Sequence, residues 1–237
     1  KQEPLTKYRD LLYLHLKNDD AIYTQDNHVD IFVDGTEKFN ALIKDLEQAQ
    51  DHIHIQYYII RHDDLGTRIA DVLVQKAREG VEVRFLYDDM GSRRLSRKYI
   101  KRLKEAGVQV DAFFPPKIPK INFKINFRNH RKLAIIDGKI GYIGGFNIGD
   151  EYLGKNHKFG YWRDTHLRVV GSAVRSMQTR FILDWNQASR HDIVYEDRFY
   201  ASEPAGDVGI QIVSSGPDSD WEQIKYGYIK MISSAKD

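Results

Sequence analysis

Cysteine is absent from the 237 residues, which excludes a disulfide framework and thiolate chemistry and is compatible with the cytosol. Nor does the sequence contain a run of about 18 apolar residues, so nothing in it reads as a bilayer span. Charge of one sign is also scarce: 36 Lys and Arg stand against 34 Asp and Glu, a formal net of +2. That balance supplies no bulk attraction for nucleic acid, whose binding is dominated by phosphate neutralisation. What is present is a 41% hydrophobic, aromatic-rich composition, enough for one large domain with a sizeable core. The first residue is Lys1 rather than methionine, which reads as an excised segment.

Strand-like and helix-like patterns alternate along the chain. Residues 29–34 read as a strand, and the helix after Gly35 places Phe39, Leu42, Ile43, Leu46 and Ala49 on one face. A strand over 52–60, a helix over 66–79 with Ile69, Val72, Leu73 and Ala77 inward, a strand over 81–87, a helix over 96–106 and a strand over 108–113 follow. Beyond a strand at 161–170, Val174, Met177, Phe181 and Trp185 form an apolar helical stripe that reads as core. Alternation of this kind predicts an α/β layered domain.

The chemistry concentrates in one stretch. Arg131-Lys-Leu-Ala-Ile-Ile136 reads as a buried strand, which would put His130 and Lys132 on one face roughly 6–7 Å apart. Asp137-Gly138 between two β-like runs is a strong hairpin signal, and Asp137, of opposite parity, reads either as turn chemistry or as support for the site. Gly144-Gly145 lets backbone approach a ligand closely, and Asn147 adds an amide donor for phosphate oxygen. A neutral imidazole is available as a nucleophile near neutral pH and can form a phosphohistidine. Lys132 and Asn147 would stabilise charge developing on the phosphoryl oxygens. A nucleophilic histidine must be held in one tautomer, and Asp164, in Tyr161-Trp-Arg-Asp-Thr-His166, is the candidate carboxylate for that task.

The pattern His130-x-Lys132-x4-Asp137-x6-Gly144-Gly145-x-Asn147 resembles the HKD motif of the phospholipase D superfamily, and the surrounding sequence is similar to the bacterial cardiolipin synthase family. Phe32-Val-Asp-Gly35, His54-Ile-Gln-Tyr-Tyr58, Tyr87-Asp-Asp-Met-Gly-Ser92 and Phe127-Arg-Asn-His-Arg-Lys132 carry that likeness, which runs from about residue 29 to the end. It implies a layered sandwich with a mixed sheet flanked by helices and one HKD copy. It also implies an enzyme making cardiolipin from two phosphatidylglycerol molecules, releasing glycerol, with no cofactor and no metal. His130 would carry the phosphatidyl group, with Lys132, Gly145 and Asn147 around the phosphate and His130, Lys132, Asp137 and Asp164 as the catalytic set. The implied setting is the cytoplasmic side of a bacterial cell membrane, with membrane spans upstream. Two further members of the class, a phospholipase D-type phosphodiesterase and a nuclease, share the motif, and a half-enzyme that only binds membrane is a third reading.

Val208–Gly216 followed by a helix ending Met231-Ile-Ser-Ser-Ala-Lys-Asp237 echoes Val29–Gly35 and the helix ending Leu46–Asp51. The organisation expected is a helical lead-in over 1–28, a first phospholipase D-like domain over 29–206 and the start of a second, truncated copy over 207–237. Superfamily members take their proton-transfer histidine from a second HKD copy, so the expected partners are a missing C-terminal half or a second copy of the chain, phosphatidylglycerol and an anionic membrane surface, with no nucleic acid. Residues 111–128 interleave aromatic and aliphatic side chains with cations. Phe113, Phe114, Lys117, Ile118, Lys120 and Phe123 read as a membrane interface, against the alternative of a half-buried strand with lysines facing water. His52-x-His54 shares one strand face but has no third metal ligand at suitable spacing. His62-Asp63-Asp64 reads as a polar loop, and Gly144-Gly145 with Gly149 does not match a dinucleotide fingerprint.

Overall fold

A computed structural model describes residues 8–113, 128–155, 160–216 and 222–235. The elements, in chain order, are α1 (Arg9–Asp19), β1 (Tyr23–Asp34), α2 (Gly35–Glu47), β2 (His52–Tyr57), α3 (Asp64–Arg78), β3 (Glu82–Asp88), α4 (Arg97–Glu105) and β4 (Gln109–Phe113). They continue with β5 (Lys132–Ile136), β6 (Ile140–Gly144), β7 (Arg163–Val170), α5 (Ala173–Ala188), β8 (Val208–Gln211) and α6 (Gln223–Ser234). The strands form one mixed sheet in the order β4-β3-β2-β5-β6-β7-β1-β8. β2, β3 and β4 run parallel, which requires the crossover helices α3 and α4. From β2 to β8 every pairing is antiparallel.

Side chains alternate across the sheet, and β2 sets the character of each side. Ile53, Ile55 and Tyr57 join Phe39, Leu42, Ile69, Leu73, Tyr99 and Leu103 beneath α2, α3 and α4. On the other side Leu133 and Ile135 meet Val174, Met177, Phe181 and Trp185 of α5. There β2 contributes His52, His54 and Gln56, all buried. His54 stacks on Phe181 with ring centroids 4.6 Å apart. Its Nδ1 lies 2.8 Å from Gln178 Nε2 and its Nε2 3.0 Å from Arg84 Nη1.

Five boundaries differ from the sequence expectation. The lead-in is helical over Arg9–Asp19, but β1 begins at Tyr23 rather than at 29, because β8 and β7 pair its polar first half. β2 ends at Tyr57, and α3 starts at Asp64, capped by Asp63 accepting from Gly66 N. The expected polar loop is therefore a helix start. β7 begins at Arg163. The strand carrying the motif begins at Lys132, which leaves His130 outside it. At the far edge β8 pairs with β1, and Gln223 of α6 donates to Asn18 O at 3.4 Å. The described part of 207–237 is thus built onto the first residues of the chain.

Candidate active site

The motif hairpin, β5 and β6, crosses the middle of the sheet and has two dissimilar ends. At its turn Asp137 and Gly138 both adopt left-handed φ, 54° and 63°, as a tight Asp-Gly hairpin turn requires. A Cβ at Gly138 would lie 2.4 Å from Phe199 O, so glycine is needed twice over. The Asp137 carboxylate accepts from the backbone N–H groups of Gln50 (2.9 Å), Asp51 (2.8 Å) and His52 (3.0 Å). It ties the hairpin to the start of β2, at the opposite end of β5 from Lys132. Of the two readings of Asp137, its hydrogen bonds match the turn, and they set its carboxylate apart from His130 and Lys132.

At the other end, residues 128–131 form an irregular loop held from below. Asn129 N donates to Asp88 Oδ2 at 2.8 Å, and Asn129 Nδ2 donates to Asp184 Oδ2 at 3.1 Å. Arg131 Nη1 reaches the same Asp184 carboxylate at 3.1 Å. Asp184 is a hub: Gln56 Nε2 donates to it at 2.7 Å and Arg180 Nη2 at 2.5 Å. Sequence reasoning assigned no role to Asp184, nor to Asp88 and Tyr58, which stand only within segments that carry the family likeness. Asp184 left a readable signal, because it lies three residues after Phe181 on an otherwise apolar helix face, where an unpaired charge is not tolerated.

The anchored loop presents His130, and Lys132 folds back onto it. Lys132 Nζ lies 3.0 Å from His130 Nδ1 and donates to His130 O at 2.6 Å. The pair therefore meets, though through side-chain folding rather than a shared strand face. The Tyr58 ring packs on the imidazole with centroids 3.9 Å apart, and Arg128 Nη1 donates to the Tyr58 hydroxyl at 3.2 Å. Burial, then the Lys132 ammonium, lower the His130 imidazole below its ordinary value. Burial brings Lys132 down to about 8, against the pull of Asp164. At neutral pH His130 is uncharged while Lys132 keeps its proton, which is the pairing a nucleophile and an electrophilic clamp need.

The remaining candidates are close by, but their groups are committed differently from expectation. No hydrogen bond joins Asp164 to His130 among the described residues; Asp164 Oδ1 accepts from Thr165 N at 2.7 Å. A Cβ at Gly145 would lie 1.9 Å from that oxygen, so glycine there makes room for a carboxylate. The Gly145 N–H donates to Thr165 O at 2.8 Å, which removes it as a phosphate donor. Asn147 is buried; its Oδ1 accepts from Ile59 N and its Nδ2 donates to Tyr152 Oη, each at 3.0 Å. Phe113 is 2% exposed and packs with the α5 cluster. It is core and not membrane interface, because the last residue of β4 still faces α5. Phe114, Lys117, Ile118, Lys120 and Phe123 lie outside the described residues.

Beneath the site is a buried layer of basic groups. His166, opposite Gly144 in the sheet register, is fully buried with neither ring nitrogen hydrogen-bonded among the described residues. Burial, then Lys38 and Lys132, push its imidazole well below its ordinary value. Lys38, also fully buried, donates to the Tyr57 hydroxyl at 2.7 Å and lies 3.6 Å from the Phe39 ring centroid. Groups of this kind, with positive or neutral states only, favour an anion above them. Among the described residues no group of three or more acidic or histidine side chains is placed to hold a metal. His52 Nδ1 lies 2.6 Å from Asp51 Oδ1, and both His54 nitrogens are taken up as above.

A mixed sheet between helical layers, with a His-x-Lys pair at its centre, defines a phospholipase D-like domain, and comparison with known proteins agrees. Residues 42–185 match the family described as cardiolipin synthase, PLD-like domain. The chain is 69% identical over 236 residues to a cardiolipin synthase of Oceanobacillus iheyensis, covering 100% of the chain and 49% of that protein. It is 59% identical over 230 residues to the major cardiolipin synthase of Bacillus subtilis, covering 96% and 48% respectively. The chain belongs to the cardiolipin synthase PLD-like domain family and spans about half the length of the curated relatives it matches. Among solved structures, NucT from Helicobacter pylori aligns with a TM-score of 0.53 at 20% identity, over 68% of this chain and 98% of that one. Phosphatidylserine synthase from Haemophilus influenzae aligns with a TM-score of 0.56 at 14% identity, over 74% and 40%. At such identities the likeness is one of fold. Among the described residues no helix is long and apolar enough to cross a membrane.

Proposed function

We propose that this chain carries the nucleophilic half of a phosphatidyltransferase that makes cardiolipin from two phosphatidylglycerol molecules. The observation that carries the reading is the 3.0 Å contact between His130 Nδ1 and Lys132 Nζ, in a site whose burial lowers both groups from their ordinary values. An arriving phosphodiester gives Lys132 an anionic partner and releases the imidazole from it. A His130 nitrogen then forms a bond to phosphorus while the bond from phosphorus to the glycerol oxygen breaks, and Lys132 balances the charge that develops on the phosphoryl oxygens. In the second step the hydroxyl oxygen of another phosphatidylglycerol attacks phosphorus, the P–N bond breaks and the hydroxyl proton is taken up by a base. The proton given to glycerol and the one recovered from the acceptor need a second group. We assign that group to a histidine from the further half of the relatives' length, for which 207–237 would be the opening strand and helix. Asp164 supports Lys132 electrostatically, and Asn147 acts through the backbone it holds, accepting from Ile59 N next to Tyr58. The setting is an anionic membrane surface on the cytoplasmic side of a bacterial cell.

The test uses a chain extended to the relatives' full length, given vesicles of headgroup-labelled phosphatidylglycerol. Cardiolipin and free glycerol appearing together, and disappearing with His130→Ala, are expected. Phosphatidic acid in place of cardiolipin would replace transfer by hydrolysis, and unchanged turnover in His130→Ala would remove the nucleophile assignment.

A further inference from the structure

The C-terminal ends of the parallel strands β2 and β3, the starts of α3 and α4, and the loop carrying His130 all lie at one end of the sheet, where open α/β sheets take their ligands. The two helix starts there are built oppositely. α3 begins on carboxylates: Asp63 accepts from Gly66 N at 3.0 Å and Asp150 from Leu65 N at 3.1 Å, as the helix dipole favours. α4 begins on cations. Arg93 and Arg94 stand in the loop before it, and Arg97 and Lys98 in its first turn, which holds no acidic residue. All four are exposed, and among the described residues none of their side chains has an ion-pair or hydrogen-bond partner. The next cations along α4 are paired, Lys101 with Glu105 at 3.5 Å and Arg102 with Asp71. Four like charges within six residues repel one another and oppose the dipole of the helix they precede, a cost that an anionic surface relieves.

The loop that carries these cations is locked to the catalytic loop. Asp88 Oδ1 accepts from Gly91 N while its Oδ2 accepts from Asn129 N, each at 2.8 Å. Ser92 Oγ donates to Tyr58 O at 3.1 Å and accepts from Ile60 N at 3.0 Å, and Tyr58 is the ring packed on His130. A Cβ at Gly91 would lie 2.3 Å from Tyr58 O, so the two backbones meet as closely as glycine allows. Whatever binds the four cations is therefore held at a fixed offset from His130. We propose that Arg93, Arg94, Arg97 and Lys98 form the surface by which this domain docks on an anionic phospholipid bilayer, holding the entrance of the His130 site against the headgroups. The choice of a bilayer as partner rests on the lipid substrate of the proposed function. A net charge of +2 over the whole chain supplies no general attraction, so attachment falls to this cluster, each cation near an anionic leaflet strengthening it roughly fivefold.

Vesicle sedimentation decides this without turnover. The 237-residue chain is mixed with sucrose-loaded vesicles of phosphatidylglycerol and phosphatidylcholine in equal parts, or of phosphatidylcholine alone, at low and at high salt. The wild type is expected on the phosphatidylglycerol vesicles and to leave them as salt screens the contact. Arg93→Gln/Arg94→Gln/Arg97→Gln/Lys98→Gln should weaken that binding on the order of several hundredfold, at roughly fivefold per cation. Lys44→Gln/Arg78→Gln/Lys104→Gln/Lys139→Gln removes as much charge from exposed positions at the opposite end of the sheet and should stay within about threefold of the wild type. No binding by the wild type, equal loss in the two variants, or no loss in the first overturns the surface. If the first variant fails to fold, Arg93→Gln/Arg94→Gln is read in its place: a loss of about 25-fold is expected, and unchanged affinity overturns the proposal. A single-stranded oligonucleotide that binds through the same four cations and displaces the vesicles at equal phosphate concentration overturns the bilayer as partner in favour of nucleic acid. Cation-dependent vesicle binding with no cardiolipin formed by the extended chain fails the transferase reading alone, and cardiolipin formation with binding indifferent to the four cations fails the surface alone.

Discussion

The two ends of the motif hairpin each carry titratable side chains, His130 and Lys132 at one and Asp137 at the other, and they behave oppositely. At the turn, the Asp137 carboxylate has three backbone N–H donors and nothing to offer a ligand. At the mouth, among the described residues, the side chains of His130 and Lys132 meet each other, the His130 carbonyl and the Tyr58 ring, with no backbone N–H donor committed to them. A polar group whose partners all lie within the fold contributes stability, whereas one left with a like-signed or neutral neighbour waits for an incoming charge. Motif spacing alone does not separate these roles, since both ends lie within the same eight-residue pattern.

The difference can be broken by mutation, and the largest effect is expected at the mouth. In the full-length transfer assay His130→Ala should reduce cardiolipin formation by about 10³-fold or more, while the melting temperature of the 237-residue chain stays within the range of surface substitutions. Asp137→Ala should do the reverse. Leaving three backbone donors short of an acceptor costs about 3 kcal/mol, read by denaturant unfolding, while the rate per folded molecule is retained. If Asp137→Ala instead abolished transfer without loss of stability, the turn end would have to be returned to the site.

Acid acts on the fold and on the site through different histidines. Burial holds His54 at about 3, against an unfolded value near 6.5, so between those values the unfolded chain binds the extra proton. Stability is therefore fully present above pH 6.5 and falls as the pH drops, by on the order of 2 kcal/mol at pH 5. His54→Gln should flatten that slope in thermal melts at successive pH values. A smaller, sharper effect belongs to activity. The acid limb of the kcat/KM profile should lie below pH 6.5, because His130 must be neutral, and the alkaline limb near pH 8, because Lys132 must stay charged. Asp164→Asn withdraws the carboxylate that raises Lys132, so the alkaline limb should move to lower pH. A limb that stays in place would disconnect Asp164 from the site.

Much of this was legible in the sequence because the physics was local. The apolar stripe of α5, the alternation that builds β2 to β4 and the Asp-Gly turn each follow from residues within one element. The His130–Lys132 pairing was legible as a pair but not as a geometry, since the loop carrying His130 is fixed by Asp88 and Asp184 from elements 41 and 55 residues away in sequence. Asp164 and Gly145 were placed at the site by motif, yet both hydrogen-bond to Thr165. Phe113 was misread because an aromatic beside prolines and lysines resembles an interfacial wedge. Only the sheet, by turning that side chain toward α5, decides its burial. Lys38 and His166 gave no signal, as a lysine and a histidine in amphipathic segments are ordinarily solvated.

The position of β1 within the sheet has a consequence for synthesis. Its nearest pairing in sequence, Asp34 with Arg163, joins residues 129 apart (163 minus 34), and its other edge waits for Val208–Gln211. At about 5–20 residues per second, roughly 6 to 26 s pass between the emergence of β1 and that of its first partner. For that interval a twelve-residue strand stands on the ribosome with both edges bare, a template for pairing with a neighbouring nascent chain. Asp26, His28 and Asp30 lie along it, and charge on an unpaired strand is what delays such pairing until the correct partner arrives.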